Sequence, residues 1–264
     1  MDYKGLLVQA LKKGKDAFRL GKHKPIGYGA YGDLSYDTDK IIEDSIARFI
    51  LSNIDAKIVT EESGLLGNKD AKVTVLLDPL DGSTNATKGI PIYCAAAAIA
   101  NGDKFKDIVS SVVMNFVSES IITCEKEKGV FINGKRCKVS SRRELSKAVV
   151  CLDVKTDKRF LFNKVKLANL INKIKYPRVL GAAALEIAFV ACGITDAYVE
   201  ARRNLRAFDC LPSIFMVKEA GGFVKVFGED LDNFNLSSKR RLAFIAANSE
   251  DLAREILSCL GEEV

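Results

Sequence analysis

The sequence predicts an α/β (α+β) protein with an antiparallel N-terminal sheet and a mixed C-terminal sheet. Three observations predict it. Two amphipathic helical stretches open the chain, with apolar residues recurring at helical spacing. Between residues 92 and 139 several apolar runs follow one another with short turns, as in an antiparallel meander. From Ala148 onward, strand-like and helix-like stretches alternate, the pattern of an α/β half. The 264 residues, 48% hydrophobic and 28% charged, suffice for one large core or two packed together.

Residues 2–20 read as a helix carrying Leu7, Leu11 and Phe18 on one side. Gly27-Tyr28-Gly29-Ala30-Tyr31-Gly32-Asp33 is too rich in glycine to be helical and reads as a loop. A second helix runs from near Thr38 to about Ile50 and buries Ile42, Ile46, Phe49 and Ile50. Strands are expected at Ile58–Thr60, Val73–Asp78, Ile92–Ala100, Ile108–Phe116 and Ser120–Cys124. Asn133-Gly134 joins Val130–Ile132 to Arg136–Val139 as a tight hairpin.

The pattern changes past Ser140-Ser141-Arg142-Arg143, which divides the chain into residues 1–145 and 146–264. A strand at Ala148–Leu152 precedes a basic helix over about Phe160–Lys173. Arg178–Leu180 precedes a helix over Ala182–Cys192, and Asp196–Glu200 precedes a helix over Asp209–Ala220. Strands Phe223–Phe227 and Ala243–Ala247 and a helix from Ser249 complete the order.

The formal net charge of +6 is compatible with nucleic acid or with an anionic metabolite as partner. Much of the basic charge lies on helix-like stretches such as Lys155 to Lys175, where a solvated face accounts for it. No apolar run reaches the length of about 18 residues that a membrane span needs. The first residues lack the apolar stretch of a secretory signal, so a cytoplasmic location is expected. Seven cysteines are scattered without a Cys-x-x-Cys pair, which removes zinc-ribbon and thioredoxin readings; most read as reduced core residues. His23 is the one histidine, in Gly21-Lys22-His23-Lys24, and reads as a surface residue. A multi-histidine transition-metal site is therefore impossible, and acidic ligands favour Mg²⁺, with Mn²⁺ as a substitute.

The chemistry concentrates in Asp78-Pro79-Leu80-Asp81-Gly82-Ser83-Thr84-Asn85, which follows the apolar run Val73–Leu77. It sets two carboxylates at the carboxyl end of a strand, then backbone N–H groups where a short helix could begin. Hard carboxylate oxygens suit Mg²⁺, and N–H groups at a helix start suit phosphate. Asp-x-x-Asp-Gly alone is a turn more often than a metal site. Here it has company: Thr60-Glu61-Glu62-Ser63-Gly64 upstream, and Arg206-Ala207-Phe208-Asp209-Cys210-Leu211-Pro212 before an apolar helix.

These segments, in this order, resemble the inositol monophosphatase and fructose-1,6-bisphosphatase superfamily, from about Asp33 to the C-terminal helix. Gly89-Ile90-Pro91, Gly129–Gly134, Asp196-Ala197-Tyr198 and Lys218–Gly222 agree with it. The compact length and Val59–Gly64 look most like the archaeal-type dual-specificity members. The resemblance implies an α-β-α-β-α layered sandwich, an active site between the two halves, and a homodimer.

It also implies roles. Glu61, Asp78 and the Leu80 carbonyl would hold one Mg²⁺; a shared Asp78 with Asp81 and Asp209 would hold the second. Ser83, at a position usually Thr, and Asp39 would orient and deprotonate the attacking water. Asp39 alone would read as a first-turn helix acid. Glu62 and Asp33 match positions tied to a third, weaker ion, but also suit solvated surface acids. Gly82, Ser83 and Thr84 would bind phosphate; Gly181, Ala182, Ala183 and Glu200 would contact a polyol. Arg202 and Arg206 suit a second phosphate or a structural ion pair. Gly27 to Gly32 matches a mobile lid or an ordinary surface loop.

The chain departs from the family pattern in lacking Trp, in Leu211-Pro212 after Asp209, and in Ser at 83. The ligand set is untouched, but inference about substrate is weakened. Three readings follow. The first is a Mg²⁺-dependent phosphatase of fructose 1,6-bisphosphate, inositol 1-phosphate or both. The second is a phosphatase of adenosine 3′,5′-bisphosphate or NADP. The third is an inactive nucleic-acid-binding protein, disfavoured by the complete acid set and by the lack of an aromatic-basic stacking strip.

Overall fold

The computed structural model describes residues 1–153 and 164–262, so the expected start of the basic helix at Phe160 lies outside the described residues. Helix α1 (Tyr3–Phe18) is capped by Asp2, whose carboxylate accepts the Gly5 N–H at 2.8 Å. It buries Leu7 and Leu11, and α2 (Asp37–Leu51) buries Ile42, Ile46 and Ile50. Between them β1 (Pro25–Tyr28) and β2 (Leu34–Tyr36) pair as an antiparallel hairpin where only a loop was expected. Both strands are short and largely exposed, so neither shows an apolar alternation. His23, just before this hairpin, is half-buried rather than free on the surface: its ring sits edge-on to Phe18 at 5.4 Å.

The first sheet has eight strands: β3 (Lys57–Thr60), β4 (Gly64–Gly67), β5 (Thr74–Asp81), β6 (Cys94–Ala100), β7 (Ile108–Asn115), β8 (Ile121–Glu125), β9 (Gly129–Ile132) and β10 (Lys135–Cys137). Their spatial order is β10-β9-β8-β7-β6-β5-β3-β4. Neighbours are antiparallel except β3 and β5, which run parallel. That pair is a correction to a purely antiparallel sheet, and it matters for the site. Strand β4 was not expected; two leucines between glycines are too brief a signal. The Asn133-Gly134 turn joins β9 to β10 as expected.

The second sheet is mixed, with order β12-β11-β13-β15-β14. It contains β11 (Val149–Asp153), β12 (Tyr176–Arg178), β13 (Ala197–Leu205), β14 (Phe223–Val226) and β15 (Leu242–Ala247). β12 lies two residues earlier than expected, paired in parallel with Val149–Cys151. β13 continues past its expected end at Glu200 through a bulge: Glu200 pairs with Phe244, yet Leu205 pairs with Leu242. Arg203 within that bulge has φ 53°, an uncommon backbone for a long side chain.

The helices of the second half are α4 (Lys164–Lys173), α5 (Ala183–Ala191), α6 (Ala207–Glu219) and α7 (Glu250–Leu260), with the six-residue α3 (Ser83–Lys88) in the first half. Strand alternation fixes the layers. Val75 and Leu77 of β5 pack with Leu7, Leu11, Ile42 and Ile46, whereas Leu76 packs with Leu185, Leu211 and Ile214 on the other face. The far side of α5 and α6 meets Cys151, Tyr198 and Phe244 of the second sheet. The opposite face of that sheet carries Val150, Val199 and Ile245 against Leu170, Leu252 and Ile256 of α4 and α7. The result is the α-β-α-β-α sandwich. All seven cysteines are free thiols, four of them buried. No helix among the described residues is long and apolar enough to cross a membrane.

Candidate active site

The parallel pairing of β3 and β5 brings two carboxyl ends together. Thr60 is level with Leu77, so Glu61 and Asp78 leave the sheet side by side. A shift of register between Asp78 and Asp81 then bends β5. The bend is closed by Gly82, whose φ of 86° suits glycine, and where a Cβ would stand 2.9 Å from the Ile92 carbonyl oxygen. The third contributor is α6. Asp209 sits in its first turn and accepts the Arg206 N–H at 2.7 Å, half of a capping box; α6 therefore begins at Ala207, two residues before the expected start. One carboxylate oxygen each from Glu61, Asp78 and Asp209 lie within 4.8 Å of one another. Asp81 is beside them, its Oδ2 accepting the Ala184 N–H at 2.7 Å from the start of α5.

Burial raises all of these acids, and like charge adds to it at Glu61, Asp78 and Asp81. Glu61 and Asp78 stand well above the ordinary carboxylate range, first through burial, then Glu61 through Asp209 and Glu62, and Asp78 through Asp81 and Glu61. Asp81 is pushed up to about 7 by burial and by Asp209, against the Ala184 N–H that holds it down. Asp209 is pushed up to about 6 by burial, with the Arg206 N–H opposing. Hard oxygen donors crowded this closely, more numerous than the Arg206 guanidinium on Glu61 can offset, fit a divalent metal ion of the Mg²⁺ type.

Asp39, in the first turn of α2, reaches the same cluster. It is buried, its Oδ1 makes no hydrogen bond among the described residues, and burial and Glu62 raise it to about 7. The Ser83 hydroxyl opposes part of that rise, and it also donates to the Leu80 carbonyl at 2.8 Å. Its single proton can serve one acceptor at a time. Glu62 accepts from the Ser35 hydroxyl of β2, and its own rise comes from burial. The Glu61–Ser63 turn hangs on Glu43, which the sequence reading missed. Fully buried on α2, Glu43 accepts from Thr60 Oγ1 at 2.8 Å and from the Glu62 and Ser63 N–H groups at 3.1 Å. An acid on the buried face of an amphipathic helix was the available signal.

Glu61, Asp78, Asp81, Asp209 and Ser83 line a cleft of about 330 Å³. Its floor holds Glu61, Asp78, Leu80, Asp81 and Asp209, and one side holds Gly82, Ser83, Thr84 and Gly181. Asp33, Asn204, Leu205, Arg206 and Arg241 complete the lining, with Arg206 in contact with Glu61 and Asp209. The Gly181 and Ala182 N–H groups are already donated to Glu186 Oε1, at 2.9 and 3.3 Å. Glu186 is a lone acid in the apolar helix α5, also missed. Ala183 follows at the start of α5, half-buried.

Glu200 and Arg202 lie outside this lining. Glu200 is fully buried and accepts the Arg202 N–H at 2.7 Å and its guanidinium at 3.4 Å; Arg202 also pairs with Asp153. Arg206 is inside the cleft, donating to Glu61 at 3.0 Å, paired with Asp33, and stacked near Tyr31 and Phe208 at 5.0 and 5.6 Å. Asn204 and Arg241 were not foreseen. Asn204 emerges from the β13 bulge, and Arg241 is one of three consecutive basic residues, where nothing in the sequence marks it out.

The fold and the acid cluster together define a metal-dependent phosphoric monoester hydrolase. A sequence model of the inositol monophosphatase family matches residues 8–261, and the chain belongs to that family. It is similar to a fructose-1,6-bisphosphatase/inositol-1-monophosphatase of Archaeoglobus fulgidus, 34% identical over 231 residues, 86% of this chain and 84% of that one. It is also similar to the Nus factor SuhB of Pasteurella multocida, 30% identical over 234 residues, 88% of this chain and 85% of that one. A solved structure described as an inositol monophosphatase–fructose 1,6-bisphosphatase superposes with a TM-score of 0.83 at 27% identity, covering 98% of this chain and all of the other.

Proposed function

We propose that this sugar-phosphate phosphatase is Mg²⁺-dependent and acts on fructose 1,6-bisphosphate, inositol 1-phosphate or both. The observation that carries the reading is the convergence of Glu61, Asp78 and Asp209, with Asp81, Asp39 and Ser83 at their edge. Glu61, Asp78, Asp81, Asp209 and the Leu80 carbonyl would hold two ions, with Glu62 and Asp33 as candidates for a third. Bound there, Mg²⁺ supplies charge to the phosphate and leaving oxygen and makes water more acidic. Mn²⁺ would substitute.

The protein's own groups do the rest. The Ser83 hydroxyl and Asp39 carboxylate hold the attacking water and take its proton; a carboxyl near neutrality suits that task. The N–H groups of Gly82 and Ser83, with Thr84, face the phosphate from the rim. Residues 1–145 supply Asp39, Glu61, Asp78, Asp81 and Ser83, and residues 146–264 supply Asp209 and Arg206; this supports two domains with the site between them. By family likeness the working unit is a homodimer.

The name of the Archaeoglobus relative supports fructose 1,6-bisphosphate and inositol phosphate as substrates. A second reading rests on the Pasteurella relative, named as a factor rather than an enzyme, and on the net charge of +6: a nucleic-acid-binding protein on an inactive scaffold. The intact acid cluster argues against it. Phosphate release is to be measured, with and without Mg²⁺, from inositol 1-phosphate, fructose 1,6-bisphosphate, adenosine 3′,5′-bisphosphate and NADP. Mg²⁺-dependent release from the first two supports the proposal. Release confined to the nucleotides replaces the substrate; salt-dependent RNA or DNA binding without release from any compound sinks the proposal.

A further inference from the structure

We propose that Arg241 and Arg206 form a subsite for a second phosphate on the substrate, and that the Asp33 carboxylate fills this subsite until such a substrate displaces it. The inference rests on the bisphosphate reading above and deepens it.

Arg241 stands on the same cleft as Ser83 and Asp209. Its position is fixed: Nη1 donates to the Asn204 carbonyl oxygen at 2.6 Å and to the Asn204 side-chain oxygen at 3.2 Å. Arg206 is held by its stacking near Tyr31 and Phe208, with only 4% of its side chain exposed. Two fixed guanidiniums thus face one cleft wall, and both engage the same atom, Asp33 Oδ2; Arg241 does so at 3.7 Å. Asp33 is of another kind. Its side chain is 57% exposed, next to the tip of the β1–β2 hairpin. An exposed carboxylate on a two-stranded hairpin is easily withdrawn, whereas the arginines beneath it are not.

The wall's composition selects the ligand class. The candidate polyol-binding acid, Glu200, is buried against Arg202 and does not line the cleft. What does line it on this side, apart from Leu205, is Asn204, Arg206, Arg241 and the removable Asp33. Guanidinium forks match phosphate, whose three terminal oxygens can meet both at once, while Asp33 offers them a single oxygen. The cleft thus has an acid cluster for the reacting phosphate and, a short way along, a cationic pair for a distal one.

The test compares wild type, Arg241→Met, Arg241→Lys and Asp33→Ala at saturating Mg²⁺, reading kcat/KM for fructose 1,6-bisphosphate against inositol 1-phosphate. Arg241→Met should lower the ratio of the two on the order of 10- to 100-fold, the worth of one charge-assisted contact. Arg241→Lys should recover part of it. Asp33→Ala should raise the ratio several-fold through a lower KM for the bisphosphate. An unchanged ratio in Arg241→Met overturns the subsite, and an equal loss of kcat on both substrates in Asp33→Ala overturns the occlusion by Asp33. Should wild type release phosphate from neither compound, the phosphatase reading falls by itself. Calorimetric binding then decides the subsite: tighter binding of fructose 1,6-bisphosphate than of inositol 1-phosphate, lost in Arg241→Met, upholds it, and equal affinities overturn it.

Discussion

The two walls of the cleft carry opposite charge and are built in opposite ways. The acidic wall stands on the ends of regular elements: Glu61 after β3, Asp78 and Asp81 at the end of β5, Asp209 in the first turn of α6. Its like charges are not neutralised by one another, and all four acids titrate high. The basic wall stands on a bulge, a hairpin and the loop before β15; its charges meet Asp33 and Glu61, and Asn204 accepts hydrogen bonds from Arg241. The difference separates two tasks. A rigid, repulsive cluster suits a cation supplied from outside the protein. Fixed arginines matched by the exposed, removable Asp33 can exchange that internal partner for a substrate group.

The largest effect should come from breaking the acidic wall. Asp78→Asn and Asp209→Asn should leave folded proteins that lose Mg²⁺-dependent turnover by about 10³-fold or more, since an amide offers no charge to the ion. Phosphate release at limiting Mg²⁺ checks this; near-wild-type rates would remove these residues from the ligand set.

The next effect sits at the edge of that wall. Ser83→Ala and Asp39→Asn should each reduce kcat by roughly 10²- to 10⁴-fold with a smaller change in KM. The double variant should be little worse than the worse single one, as for groups acting as a unit. Additive losses would assign the two residues to independent tasks.

A third experiment reads the combined cost of burial and like charge at Asp81. Asp81 is pushed up to about 7, so folding favours its neutral form over the free carboxyl near pH 3.9. That contribution is complete below about pH 3.9 and is lost as pH rises through about 7. Asp81→Asn, which keeps an acceptor for the Ala184 N–H, should therefore stabilise the metal-free protein by about a few kcal/mol at most at pH 8, read as a higher melting temperature, and much less at pH 5. Added Mg²⁺ should stabilise wild type more than the variant. A difference in melting temperature that is the same at both pH values would contradict the assigned cost.

The smallest functional effect tests the edge of the basic wall. Arg202→Met should change the ratio of bisphosphate to monophosphate hydrolysis by less than about 2-fold, because Arg202 lies outside the cleft. It should lower stability by removing the guanidinium that meets the buried Glu200, while the backbone N–H at 202 still donates to that carboxylate. A loss of selectivity as large as that expected for Arg241→Met would extend the wall to this residue.

The acidic wall was legible in the sequence because each of its residues ends a periodic stretch. Val73–Leu77 announces β5, Ile58-Val59 announces β3, and the apolar run after Asp209 announces α6. The layered order of helices and strands was legible for the same reason. The basic wall was not. β1, β2 and β4 are three or four residues long, too short for alternation to register. The β13 bulge runs through Arg202-Arg203-Asn204, where no apolar pattern survives. Glu43 and Glu186 were missed although a lone acid on an apolar face carries a signal: such a carboxylate needs donors, and both have backbone N–H groups to accept from.

The joints of the site have a consequence for the order in which the protein assembles. Arg206 meets Glu61 across 145 positions of chain, and the Ala184 N–H meets Asp81 across 103. Such contacts are slow to close and form only once both sheets have α5 and α6 between them. A growing chain thus displays Glu61, Asp78 and Asp81 long before it possesses the helices that restrain them. Ion binding belongs to the last stage of folding. The amide protons of Ala184 and Arg206, each held by a carboxylate of the cluster, are the reporters whose protection against exchange would date that stage.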